Sequence, residues 1–146
     1  MPEAYELSST DCEKLLRAGV VGRMAVSAPD GPHVVPVNYS VVDDAIVVRT
    51  TPYSLLGTHG RNTRVAFEID QFDHEYHHGW SVQARGLCEP VEHAEDLQHI
   101  QSVWAPRPWA SGVRTLFLRL RWLELTGRRL GKDWDPFADL PVRRAP

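Results

Sequence analysis

Cysteine is nearly absent: Cys12 and Cys88 are the only two in 146 residues, and neither has a CxxC partner or a ligand-like cysteine nearby. A disulfide framework is excluded, and both thiols read as packing or incidental groups. Such usage suits a reducing compartment, so the protein is expected in the cytoplasm. No apolar run approaches the roughly 20 residues of a membrane helix. The opening stretch MPEAYELSSTDCEKLL also lacks the basic and apolar regions of an export signal. No membrane partner is expected. A strong excess of one charge is missing too: the formal charge is -3, which gives no reason to expect a nucleic-acid partner. GxSxG, GxGxxG and GxxxxGK are all absent. The hydrolase, dinucleotide and nucleotide-triphosphatase readings therefore have nothing specific beneath them.

The chain that remains suits a single domain, 1–146, with a core over about 7–130 and a polar, proline-bearing tail over 131–146. Residues 63–89 organise it. Val65, Phe67 and Ile69 alternate with polar or small neighbours, and Trp80, Val82 and Ala84 alternate again. Period-2 patterning on both sides of a loop predicts an antiparallel strand pair. The loop, 70–79, holds Asp70, Asp73 and Glu75 beside His74, His77 and His78. Their spacing does not match HExxH, and adjacent loop residues point in different directions. A structural or solvent-exposed cluster is the preferred reading over a metal site.

Upstream, Thr10 followed by Glu13 has the form of a capping box for a helix over 8–19, closed by Gly19. Three short strands follow, at 20–27, 33–41 and 45–50, joined by turns too tight for β-α-β crossovers. Pro36 lies in the second strand and, having no N–H to donate, belongs at an edge or a bulge. Residues 52–61 suit a short helix or a turn-rich crossover, 93–105 a second helix, and 113–130 a long strand. The sum is about six strands and two or three short helices, which predicts a mainly β, closed or nearly closed antiparallel barrel.

One polar line stands out. Arg49, Thr50, Thr51 and Ser54 sit where a strand gives way to a helix or turn. Hydroxyls, a guanidinium and free amides there suit a phosphate, while simple capping by Thr51 or Ser54 is the plainer alternative. Arg61, Asn62 and Arg64 add charge just downstream. Trp80 and Trp109 have the rings to stack on a planar ligand, although tryptophans more often fill cores and interfaces.

Taken together, VVGRMAVSAPDGPHVVPVNYSV, AIVVRTTPYSLLG, NTRVAFEID, GWSVQARG and LELTGRRL resemble, in order and spacing, the flavin-binding split barrels related to pyridoxamine 5'-phosphate oxidase, especially small bacterial members. The resemblance implies a six-stranded antiparallel split β-barrel that forms a homodimer with FMN sites in clefts between subunits. It implies that Arg49, Thr50, Thr51 and Ser54 face the ribityl phosphate and flavin edge. Val35, Pro36, Val37, Asn38 and Tyr39 would line the ring, with Asn62 near the phosphate. Trp80, Ser81 and Arg128 (or Arg129) would approach from the partner subunit or border the substrate opening. The chain departs from the pattern in one place: Leu55 and Leu56 stand where members that hold FMN tightly often carry a lysine or arginine.

The function so implied is an FMN-dependent oxidoreductase that passes a hydride between flavin and a small-molecule substrate, with no side-chain nucleophile required. Two alternatives come with the same family. One is an F420-dependent reductase, for whose acidic tail Arg61, Arg64, Arg143 and Arg144 supply charge. The other is a non-catalytic haem- or flavin-binding module, in which His33, His59 or a loop histidine would have to reach iron.

Overall fold

The computed structural model describes residues 3–104, 106, 114–138 and 140. Trp109, Arg143 and Arg144 lie outside the described residues. The elements run β1 (Ala4–Glu6), α1 (Ser9–Ala18), β2 (Val21–Ala28), β3 (Gly31–Val42), β4 (Ala45–Thr50), α2 (Leu55–His59), β5 (Thr63–Asp73), β6 (His78–Pro90), α3 (Ala94–Trp104) and β7 (Leu116–Leu130).

All strand pairs are antiparallel. Among the described residues the sheet has seven strands in the order β1-β7-β4-β3-β2-β5-β6, and a further β6–β7 pairing closes it on itself. Seven replaces the expected six. The addition is β1, whose three residues pair with Arg128–Leu130 at the end of β7. Three residues are too few for a period-2 pattern to register, so only the partner strand reveals the element.

Closure follows from alternation. Met24, Val26, Phe67, Ile69, Val82, Ala84, Leu118 and Leu120 are buried in one cluster with Cys12, Leu15 and Leu16 of α1. Burial of each such aliphatic or aromatic side chain is worth about 1.5–3 kcal/mol. β4 is covered on both faces, which explains its unbroken run Ala45–Val48. Ile46 and Val48 join the main core, while Val47 packs with Val91, Ile100 and Phe117 in a second cluster that includes α3. Cys88 is fully enclosed, and burial pushes its thiol up to about 12.

Three local expectations change. The cap of α1 is Ser8 rather than Thr10: its Oγ accepts the Asp11 amide at 3.1 Å. The hairpin loop shrinks, since β5 and β6 stay paired from Thr63↔Cys88 out to Asp73↔His78, so only 74–77 turn. Asp73 holds that turn by accepting the amides of Glu75 and Tyr76 at 2.9 and 3.0 Å. These bonds keep its carboxyl below the usual carboxylate range. Last, the tail is partly fastened to the barrel. Trp134 donates its indole N–H to the Leu130 carbonyl at 2.6 Å and stacks on His78 with ring centroids 4.2 Å apart.

Candidate functional site: a cleft where two strands part

The two halves of β3 have different neighbours. Gly31–Asn38 pair with β2, whereas Tyr39–Val42 pair with β4. β4 likewise leaves β3 after Val48, and Arg49 and Thr50 continue against Phe117 and Leu116 of β7. The strands thus fork, and a cleft of about 210 Å³ opens between the arms. Val35, Pro36, Val37 and Asn38 line one arm; Arg49, Thr50, Ser54, Leu55, Leu56 and Arg114 line the other. Pro36 pairs with Arg23 on its β2 side and has no β4 partner on the other. A residue without an N–H suits such an edge.

Ser54 is the N-cap of α2. Its Oγ accepts the Gly57 amide at 2.9 Å and lies 2.9 Å from the Thr51 carbonyl and 2.6 Å from Thr50 Oγ1. With one hydroxyl proton, Ser54 donates to the Thr51 carbonyl, so Thr50 is the donor to Ser54. The plainer alternative for this segment, capping, therefore describes Ser54. Arg49 is fixed from two sides. One terminal nitrogen donates to the Arg114 carbonyl at 3.1 Å, and the guanidinium lies 5.0 Å from the centre of the Phe117 ring.

Among the described residues no aspartate or glutamate lines the cleft. Nε of Arg49 and Nε of Arg114 are both buried and have no hydrogen-bond partner among the described residues. Buried cationic donors normally face an acceptor, so two orphaned guanidinium N–H groups beside a cleft with no acid among its described lining are chemically suited to an anion. Sequence reading passed over Arg114, placing it inside the long strand 113–130, whereas β7 begins only at Leu116. A signal was present, however. Arg114 shares the parity of Leu116, Leu118 and Leu120, which places a guanidinium on the barrel-facing side.

Seven of the predicted residues meet in this cleft: Val35, Pro36, Val37, Asn38, Arg49, Thr50 and Ser54. The others lie elsewhere. Thr51 contributes its carbonyl to the Ser54 cap. Tyr39 is a core residue, its hydroxyl bound to the Leu16 carbonyl at 2.6 Å and its ring edge-on to Phe67. Trp80 is also in the core, 3% exposed. Asn62 sits in an exposed turn with φ 53°, the left-handed region that asparagine tolerates. Ser81 and Arg128 are paired across β6 and β7 and line a separate, wider cleft of about 660 Å³ with Glu6, Leu7 and Gln83. The histidine-rich turn forms no site among the described residues. His78 is stacked between Tyr76 and Trp134, and no trio of His, Cys, Asp and Glu is placed to hold a metal. His33 is tied to Asp30 at 2.7 Å.

Comparison with known proteins adds the following. The family model for pyridoxamine 5'-phosphate oxidase matches residues 8–129. An uncharacterised protein of Mycobacterium tuberculosis is 27% identical over 136 residues, which cover 90% of this chain and 88% of that one. A solved structure described as the FAD binding protein of Mycobacterium smegmatis superposes with a TM-score of 0.73 at 30% identity, covering 86% of this chain and 97% of its own. A FAD-binding protein of Mesorhizobium loti, 22% identical, shares the fold with a TM-score of 0.70 over 90% of this chain and 100% of its own.

Proposed function

The chain belongs to the pyridoxamine 5'-phosphate oxidase-like family, and from that membership we propose that it binds FMN in the forked cleft and acts as a flavin-dependent oxidoreductase on a small-molecule substrate. The observation that carries this reading is the pair of orphaned guanidinium N–H groups in a cleft with no acid among its described lining, beside the stretch of β3 that pairs with β2 and not with β4. Those residues fit a phosphorylated flavin. Arg49 and Arg114 suit its phosphate, the Val35–Asn38 edge suits the side of a planar ring, and Leu55 and Leu56 keep water from the angle between them. A bound flavin supplies hydride exchange with the substrate, and the protein supplies position and charge. Arg49, held by the Arg114 carbonyl and Phe117, needs little rearrangement to meet an anion. Preorganisation of that kind lowers the cost of binding.

The reading extends to a homodimer with the sites at the interface. Ser81 and Arg128 line a different cleft from Arg49, so a second copy is the route by which they would join it. Outward-facing Val34 and Leu123 are 68% and 72% exposed, as a partner surface requires. FAD is the second reading, because the Mycobacterium smegmatis relative is described as FAD binding. Among the described residues no helix is long and apolar enough to cross a membrane.

The test is an absorption spectrum of protein purified without added cofactor, then titration with FMN, FAD, F420 and haemin. A flavin spectrum with saturable binding of FMN supports the proposal, and tighter binding of FAD moves it to the second reading. Response to F420 alone transfers the chemistry to deazaflavin. A Soret band without flavin uptake overturns it, as does the absence of any binding. Bound flavin that no reductant or substrate turns over leaves a binding module rather than an enzyme.

A further inference from the structure

We infer that Arg114 is the second cation of the phosphate subsite and makes the cleft selective for a phosphorylated flavin over the unphosphorylated vitamin. The inference rests on the flavin reading above and goes beyond it by assigning a residue from another part of the chain. Leu55 and Leu56 put apolar side chains at the start of α2, and His59 at its end does not reach the cleft, so Arg49 is the only cation that the β4–α2 segment brings to it. Arg114, on the approach to β7, restores the count to two. A phosphate monoester carries nearly two negative charges at neutral pH, and two guanidinium forks match it in both charge and donor geometry.

The two arginines hold different roles. The Arg114 backbone carbonyl braces Arg49 at 3.1 Å, whereas its side chain supplies a buried Nε–H with no acceptor among the described residues. Removing the side chain therefore leaves the brace on Arg49 intact. This separates a charge effect from a structural one. It also predicts a selective loss: the phosphate contact weakens, while the strand edge that meets the ring does not change.

The experiment is a fluorescence-quenching titration of the full chain with FMN and with riboflavin, on the wild type, Arg114→Met and Arg114→Lys. Calorimetric titration with inorganic phosphate runs alongside, and thermal melts check the fold. Arg114→Met is expected to weaken FMN binding about 10- to 100-fold, the range for a lost hydrogen bond to a charged group. Riboflavin affinity should stay within about 2-fold, and Arg114→Lys should recover part of the FMN affinity because it keeps the charge without the fork. Equal weakening of both ligands overturns the inference, as does no change in either. Should Arg114→Met fail to fold, Arg114→Lys carries the same contrast: weaker FMN with unchanged riboflavin supports it, and anything else overturns it. If the wild type binds neither flavin, the flavin reading falls, and inorganic phosphate decides Arg114 alone. Uptake by the wild type and not by Arg114→Met then keeps the anion site; no uptake by the wild type removes it.

Discussion

Ser54 shows how one hydroxyl can be spent on structure in the middle of the forked cleft. It accepts hydrogen bonds from the Gly57 amide and the Thr50 hydroxyl and donates to the Thr51 carbonyl. No donor is left over for a ligand. Ser54→Ala should therefore cost about 1 kcal/mol, as lost N-caps do, and lower the melting temperature by roughly 3 °C. FMN affinity should fall by no more than about 3-fold, since a loss of a few tenths of a kcal/mol is all that a loosened turn implies. A tenfold loss of affinity at unchanged stability would return Ser54 to the list of direct ligands. Among individual residues, then, the cleft divides into side chains that are already satisfied and two arginines that are not.

At the scale of elements, backbone register decides what a side chain can do. β6 and β7 lose register between Arg85 and Gly86, so that Gly86 faces Trp122 while Arg85 faces Glu124. Leu123 is displaced outward, 72% exposed. A Cβ on Gly86 would come 2.1 Å from the Arg121 carbonyl oxygen, a backbone atom that cannot swing aside. Gly86→Ala should destabilise the barrel by about 1–3 kcal/mol, the usual range for overpacking, read from the midpoint of a chemical unfolding curve. A change within error would mean that the bulge can slide. The β5–β6 turn has its own pH dependence. Amide bonds to Asp73 depress its carboxyl below 3.8, so the turn keeps that contribution above about pH 4 and loses it as the pH falls through the depressed value. Hydrogen exchange at Tyr76, corrected for intrinsic rates, should speed up on acidification in the wild type and stay level in Asp73→Asn. Parallel slopes in both proteins would count against the carboxylate.

For the whole molecule the open question is assembly. Val34 and Leu123 lie on the outer surface of the barrel, and the proposed dimer needs such a surface. The double substitution Val34→Asp, Leu123→Asp should convert a dimer to a monomer in light scattering and reduce flavin retention, because Ser81 and Arg128 would no longer be delivered from a second copy. A wild-type monomer that saturates with flavin would sink the dimer reading.

Much of this architecture was readable in the sequence, because alternation and turn chemistry are local. Period 2 in Val65–Ile69 and Trp80–Ala84 predicts the central hairpin, the tight turns between 20–27, 33–41 and 45–50 predict a meander, and Pro36 marks an edge or a bulge. The ordered motifs also point to the family. Other features depend on partners distant in the chain. β1 is a strand only because the end of β7 lies beside it, Tyr39 is core because its hydroxyl meets Leu16, and the expected ten-residue loop is largely strand because Gln71 and Phe72 find Trp80 and Gly79. The cleft is the clearest case. Its residue types could be read from β3 and β4, but the fork that separates those strands, and the arrival of Arg114 between them, exist only once the barrel has closed.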